Sequence, residues 1–533
     1  MNNQFSKAIT RDVQRSAFDR NFRHKTTFNA ADIVPIFLDQ KVLPNDTITL
    51  DMAYVVRSGT PYVPVMDDAK ITIAFFFVPM RIVWEHTKQF YGENDTSAWT
   101  QNNTYTIPAR NITSNPDASD DQISVGCIGH YFGLPLTVGI DPHVNIGTYI
   151  TPVSDLPLRG YHFICNEWYR DESTCDPVLF TKGDTATTNV SYADSPRKAA
   201  KFHDFFTACL PQPQRGSPAT LPLGSKAPLV AVNNTSSVIA PTTGYYVNVN
   251  NATVWQKGSA KSIGAGTSGT SHENIDVYAD LSSATAASIN QLRLAIATQK
   301  FLETDARAGT RFREAMYAHY GATNAGALDI PQLICVKEFD LNMNQVLNTA
   351  DDTGATGAYS HSSNFSSYFT YSACEPGMII GLACVRTVNT YSQGIGRDWT
   401  ALGKFDQYFP EFAGIGEQPV YQKEIFASQI TLSNTKPVFG YQEAWAEYRY
   451  KQNMATGYMD HAGANALDPW TYQQTLTQAP ILNKFFIEAS KDPVDNTLKQ
   501  GSSTHNYLGD FYFKARWVRP MPMYSIPGLG TGI

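Results

Sequence analysis

From Asp46 to Arg57 the chain alternates, with Ile48, Leu50, Met52, Tyr54 and Val56 standing between mostly polar neighbours. A period of two turns one face of an extended segment toward a core and the other toward water, so a strand is expected there. Ile71, Ile73, Phe75 and Phe77 repeat the pattern and stop at Pro79, and Ser58-Gly59-Thr60-Pro61 between the two runs is turn chemistry. Phe511, Phe513, Ala515 and Trp517 alternate again ahead of a proline-rich tail, RPMPMYSIPGLGTGI. Met378–Val388 is almost continuously apolar, as expected of a strand covered on both faces.

Helical spacing is rarer. It is clearest over 289–320. Ser288 and Gln291 have capping-box spacing, Leu292 and Ile296 share a face, and Ala308-Gly309-Thr310 interrupts. Phe312, Met316 and Tyr320 resume the four-residue repeat, and Gly321 suits the C-cap. Shorter helices are expected at Arg81–Tyr91, Arg197–Ala208 and Tyr441–Lys451. Strands far apart in sequence, with helices inside their connections, point to a β-sandwich or jelly roll with large insertions rather than to α/β alternation.

Residues 217–288 break the pattern. Their only charges are Lys226, Lys257, Lys261, Glu273, Asp276 and Asp280, and the rest is largely Ser, Thr, Asn, Gly, Ala and Val around isolated Tyr245, Tyr246 and Trp255. This composition suits a long surface insertion with a little β structure. No internal repeat is visible.

Composition narrows the function. Hydrophobic residues make up 42% of the 533 and charged residues 17%, below the usual share of about 25%, so much of the surface is polar without being charged. The formal net charge is −7, which excludes a wholly basic nucleic-acid coat and restricts any such contact to a local patch. One candidate exists. Residues 1–29 carry Lys7, Arg11, Arg15, Arg20, Arg23 and Lys25 against Asp12 and Asp19, with Phe18, Phe22 and Phe28 interleaved. Such an arm is a solvated terminus, a phosphate contact or a dock for a neighbouring subunit. No run of about 18 apolar residues occurs, so no transmembrane helix is expected. The first residues lack the apolar core of a secretory signal. Seven cysteines without a C-x-x-C pair read as buried, reduced thiols rather than a metal site.

No catalytic, cofactor or metal residue can be named. Gly264-Ala265-Gly266-Thr267-Ser268-Gly269 fits G-x-G-x-x-G, but KGSAKSI before it is no strand and TSHENID after it opens no helix, so it reads as a loop. His203-Asp204 sits among Phe202, Phe205 and Phe206 and lacks the further ligands a metal phosphohydrolase needs, so a packed helix is expected. His86 follows Glu85 without H-E-x-x-H, and no G-x-S-x-G elbow occurs.

Longer strings carry more information. RSAFDRNFRHKTTFNAADIVPIFLDQKVLPNDTITLDM, IAFFFVPMRIVWEHTKQFYGEN, LRGYHFICNEWYRDES, KFHDFFTACLPQPQRGSP, INQLRLAIATQKFLETDARAGTRFREAMYAHYG, EPGMIIGLACVRTVNTYSQGIGRDWT and FGYQEAWAEYRYKQNMATGYM follow one another along nearly the whole chain. In that order they resemble the major capsid proteins of gokushoviruses, small single-stranded DNA phages of the Microviridae. The departures are local. The family often has A-G-D/L at Ala30-Ala31-Asp32, L-P-G-D at Leu43-Pro44-Asn45-Asp46, and R-P-E at Ile330-Pro331-Gln332. Asn can stand for Gly at position 45 because it tolerates positive φ.

The resemblance implies a mainly β fold, an eight-stranded antiparallel jelly roll with long helix- and loop-containing insertions. It implies assembly with copies of itself into a T=1 icosahedral shell around circular single-stranded DNA in a bacterial cytoplasm. A small basic internal protein and scaffolding or pilot proteins would be further partners, and a bacterial surface receptor would be the external one. Residues 1–29 would be a basic arm, with Arg11, Arg15, Arg20, Arg23 and Lys25 meeting DNA or a partner inside the shell. Residues 30–216 and 289–533 would be the capsid body. Residues 217–288 would form a variable threefold protrusion, with Tyr245, Tyr246 and Trp255 as candidate receptor anchors or a miniature core between three copies. On composition alone a secreted β-rich carbohydrate-binding protein is the competing reading; the absent signal and unpaired cysteines oppose it.

Overall fold

The computed structural model describes residues 14–94, 105–114, 120–139, 150–219, 229–233, 264–265, 273–279, 289–341, 346–347, 356–358, 361–428, 437–499 and 505–524. The chain divides into two compact units, Met1–Pro213 with Arg307–Ile533, and Gln214–Ala306.

Nine strands build the two main sheets of the larger unit: β1 (Ser16–Asp19), β2 (Phe22–Phe28), β3 (Val34–Val42), β4 (Thr47–Ser58), β5 (Ala69–Pro79), β6 (Gln332–Leu341), β7 (His361–Ser372), β8 (Gly377–Thr387) and β9 (Tyr507–Arg519). Short β1 and β2 both pair with β9 and act as one interrupted edge strand. One sheet then runs β1/β2–β9–β4–β7, the other β3–β8–β5–β6, and every pairing is antiparallel. The partners nest. The first strand pairs with the last, β3 with β8, β4 with β7 and β5 with β6, which is the jelly-roll winding. The long connections lie between β5 and β6 and between β8 and β9.

The alternation read from sequence places the core. Ile48, Leu50, Met52, Tyr54 and Val56 of β4 and Phe511, Phe513, Ala515 and Trp517 of β9 point between the sheets. They meet Ile71, Ile73, Phe75 and Phe77 of β5. Phe75 lies 5.8 Å from Phe37 and 6.5 Å from Phe513 between ring centroids, both edge-on, an arrangement that suits opposed ring quadrupoles.

The central strands of the second sheet, β5 and β8, are buried on both faces. Ala74, Phe76 and Val78 of β5 and Met378, Ile380, Leu382 and Cys384 of β8 point away from the first core. They pack on Leu156, Leu158, Tyr161 and Ile164 of helix α1 (Leu156–Ile164). This explains the unbroken apolar run expected at Met378–Val388 and observed as β8. A third, smaller core joins Phe205, Phe206 and Cys209 to Val420, Ile425, Phe439, Phe486 and Ile487 of the last long connection.

Gln214–Ala306 contains a three-stranded antiparallel sheet of Leu229–Asn233, Glu273–Ala279 and Gly264–Ala265. Helix α2 (Ile289–Ala308) begins in this unit and is followed by α3 (Phe312–Tyr320). The break at 308–310 falls where the sequence placed it, and Gly321 closes α3 at φ 68°, where a side chain would be strained. Ser288 lies outside the described residues.

Three expected helices differ. Arg81–Tyr91 forms two single turns, Met80–Val83 and Thr87–Phe90. Arg197–Ala208 is not helical. Asp204 Oδ1 accepts from the backbone N–H groups of Phe206 and Thr207 at 2.9 and 2.8 Å, and this local turn replaces the helix ladder. His203-Asp204 therefore stands on a packed turn. Tyr441–Lys451 begins inside a strand (Val438–Glu443) and holds only one 3₁₀ turn, because Trp445 takes a left-handed conformation at φ 65°. Asn45 and Ala31 also have positive φ, 66° and 69°, at the two sites where glycine is the family's frequent residue.

Candidate assembly and nucleic-acid surfaces

Much of the basic N-terminal segment is built into the sheet. Backbone pairing from Ser16↔Arg519 to Phe28↔Tyr507 makes residues 16–28 an edge strand rather than a free arm. The cause lies in its aromatics. Phe22 stacks on Phe513 at 4.9 Å, and Phe28 is buried 5.6 Å from Tyr507.

Three of the cations named from sequence, Arg15, Arg20 and Arg23, have partners within the chain. Arg15 donates to Asn45 O at 2.6 Å and Thr47 Oγ1 at 3.0 Å. Arg20 is ion-paired with buried Asp39 and lies 5.3 Å from the Trp517 ring centre. Arg519 faces the same Trp517 ring at 4.1 Å and bridges Asp39 at 3.7 Å and Asp46 at 3.3 Å. Burial pushes the Asp46 carboxyl above its ordinary range, against the opposing Leu43 backbone bond and the Arg519 charge. Arg23 lies 3.5 Å from Asp510 and 5.7 Å from the Tyr512 ring. Lys25 is exposed and opposite Asp510 in register. Arg11 lies outside the described residues, as do Tyr245, Tyr246 and Trp255 of the insertion.

The two sheets differ in what covers their outer faces. The outward side chains of β5 and β8 are buried under α1 and its connections. Those of β4 and β9 are polar or half-exposed: Thr49, Asp51, Ala53, Val55 and Arg57 on one, Asp510, Tyr512, Lys514 and Arg516 on the other. Strand register joins them into a field with Arg23, Lys25, Arg57, Lys514 and Arg516 against Asp19, Asp51 and Asp510. One row across it is distinctive. Exposed Phe365 of β7 pairs with Ala53, Ala53 with Tyr512, and Tyr512 with Arg23. Two rings flanking an alanine, with a guanidinium at the end, were not visible in sequence because the four residues come from four distant strands.

The cover of the second sheet is held by buried charge. Arg159 of α1 is fully enclosed. It donates to Asp155 at 2.8 Å and to the carbonyls of Val83, Gly183 and Thr185 at 3.2, 2.8 and 2.6 Å. Arg110 donates to the other oxygen of Asp155 at 3.0 Å and to Asp121 at 3.2 Å. Paired and hydrogen-bonded ions of this kind position elements more than they stabilise them.

Catalytic chemistry finds no support in these groups. Burial pushes the Cys165 and Cys384 thiols up to about 12, away from reactive thiolate. Five cysteines are buried as expected, but Cys374 is exposed in the tight β7–β8 turn and Cys335 is half-buried within edge strand β6. Among the described residues no cluster of His, Cys, Asp or Glu is placed to hold a metal ion, and no helix is long and apolar enough to cross a membrane.

A nested jelly roll elaborated by long insertions and stocked with structural rather than reactive polar groups is the architecture of a viral coat subunit. Comparison with known proteins agrees: the chain belongs to the capsid protein (F protein) family of phages, whose pattern matches residues 6–529. Similar proteins are capsid protein VP1 of Bdellovibrio phage phiMH2K, 35% identical over 98% of this chain and 97% of its own, and VP1 of Chlamydia phage 1, 33% identical over 99% and 98%. VP1 of Spiroplasma virus 4 is 32% identical over 95% and 94%. The chain is thus a phage major capsid protein, a structural component of the virion and not an enzyme, and the resemblance drawn from its sequence strings holds.

Proposed function

We propose that the subunit joins copies of itself in a T=1 icosahedral shell around circular single-stranded DNA. In this reading the outer face of the β1/β2–β9–β4–β7 sheet turns toward that DNA. The row Arg23–Tyr512–Ala53–Phe365 carries the proposal. Rings on an uncovered sheet stack unpaired bases regardless of sequence, and flanking cations meet phosphates with release of counterions. Lys25, Lys514 and Arg516 extend the cationic field. Arg15 and Arg20 instead serve the sheet corner, since their partners are internal. A small basic internal protein and scaffolding or pilot proteins complete assembly. The test is a subunit carrying Tyr512→Ser, Lys514→Gln and Arg516→Gln. Shells should still form, but DNA per particle should fall, and the salt dependence of retention should flatten by roughly one unit for each phosphate no longer neutralised. Unchanged DNA content at all salt concentrations would refute the assignment.

The segment 217–288 serves host attachment as a projection at the threefold axes. Its support is compositional: a polar segment with isolated large aromatics, and aromatics are favoured binding anchors. Replacing residues 225–283 with a short Gly/Ser linker should leave shell formation intact and abolish adsorption to host cells. Normal adsorption would remove the receptor role, and failure to assemble would make the segment structural.

A further inference from the structure

The connection between β8 and β9 carries a concentration of exposed aromatic and aliphatic side chains. Trp399 is 82% exposed, Leu402 89% and Met454 76%, and Phe405, Tyr448, Tyr450 and Tyr458 are exposed beside them. Two neighbouring cavities that share Arg397, Glu424 and Glu447 join five of them, with Phe405 and Trp445 lining the second. Trp399, Tyr450 and Met454 line a single cavity of about 530 Å³, and the Tyr448 ring lies 6.1 Å from Tyr408 and 6.3 Å from Trp445. The floor is rigid: Arg397 bridges Glu424 at 2.8 Å and Glu447 at 3.8 Å. The rim is charged, with Lys451 and Asp398 3.5 Å apart and both largely exposed.

We infer that this surface is a contact between capsid subunits, and that its occupant is a second copy of this chain. Large aromatics present roughly 150–250 Å² each, so Trp399, Phe405, Tyr448 and Tyr450, with Met454 beside them, offer on the order of 700 Å² at these exposures. A monomer surface tolerates apolar patches of only a few hundred Å², whereas one side of a stable protein interface takes about 800 Å². An apolar centre with a mixed-charge rim is also the anatomy of such an interface. Nucleic acid fits poorly, because Asp398, Glu447 and Asp460 stand around the same cavity with Arg397 and Lys451. The cavity is a socket rather than a self-matching ridge, so the contact is heterologous: the socket of one copy takes a different surface of the next, and repetition closes the shell.

The inference rests on the chain being a shell-forming subunit, and its test separates the two claims. Hydroxyl-radical footprinting of wild-type particles, compared with the same particles dissociated into subunits, should show Trp399 and Met454 protected at least fivefold in the shell. A Trp399→Glu, Met454→Glu subunit should keep the wild-type circular dichroism and unfolding transition and lose shell yield at least tenfold. Wild-type subunits that form no shell under any condition would remove the assembly reading itself. Wild-type shells in which Trp399 and Met454 oxidise as fast as in free subunits would overturn this interface alone. So would a folded double variant that assembles normally, including one that assembles but fails to recruit another virion protein.

Discussion

Replacing Arg159 with methionine tests how the second sheet keeps its cover. The change keeps an unbranched apolar stem and removes the guanidinium from a site with no solvent access. Three carbonyls, of Val83, Gly183 and Thr185, lose a charged donor. Asp155 keeps Arg110 at 3.0 Å and the Thr187 N–H at 3.2 Å, so its charge is still answered. Breaking a buried ion pair from one side costs about 3–5 kcal/mol, and the retained Arg110 contact puts Arg159→Met near the lower figure. Asp155→Asn is worse, since one neutralised carboxylate leaves Arg159 without a counterion and Arg110 with Asp121 alone; about 5 kcal/mol is expected. Urea unfolding of purified subunits measures both. With a slope of about 3 kcal/mol per molar, the Arg159→Met midpoint should fall by roughly 1 M with little change in slope. A loss below about 1 kcal/mol, or an Asp155→Asn variant milder than Arg159→Met, would refute the claim that one carboxylate organises this network.

Two further outcomes are expected. His162 is fully enclosed, and burial, aided by the nearby Arg197 and Arg110 charges, pushes its pKa down to about 3. The unfolded chain binds this proton near pH 6.5 and the folded one does not, so the stability involved is full above 6.5 and falls as pH drops toward 3, by about 1.4 kcal/mol per unit. A His162→Phe subunit compared with wild type between pH 6.5 and 5 should lack that slope, and parallel profiles would contradict it. Gly381 of β8 has no room for a methyl group: a Cβ there would lie 2.7 Å from the Phe75 ring and 2.8 Å from Phe37 Cβ. Gly381→Ala should therefore destabilise by about 1–3 kcal/mol in the same urea assay, and a neutral result would show that the two rings move freely.

What the sequence disclosed and what it hid follow from range. Strands β4 and β9 were legible because alternation is a local signal that tertiary contacts reinforced. In β5 the odd-numbered residues carry the visible alternation, while the even-numbered Ala74, Phe76 and Val78 look like mere filling, although it is their burial that reveals the α1 layer. The helix expected at Arg197–Ala208 failed because Asp204 competes for the backbone donors, a choice that spacing alone does not register. The sheet pairing of the basic segment was not legible because its partners are remote. Asp39 is 19 positions from Arg20, and Asp510 comes from the far end of the chain. The Phe365–Ala53–Tyr512–Arg23 row and the Trp399 surface could not be read at all, since composition does not separate an aromatic in a core from one at an interface.

The nested winding has a consequence for synthesis. Arg15 and Val518, 503 positions apart, meet at the corner where the first strand joins the last. Strand β9 sits between β1/β2 and β4, so until residues 507–519 have left the ribosome the first sheet is missing an inner member, and the edges of β2 and β4 stay open. Contacts this distant make folding slow, and open edges invite wrong pairing. The same order acts as a proofreading step. A polypeptide interrupted anywhere in the long β8–β9 connection has no finished first sheet to bring to a capsid. Residues 507–519 thus certify the translation of the strands before them.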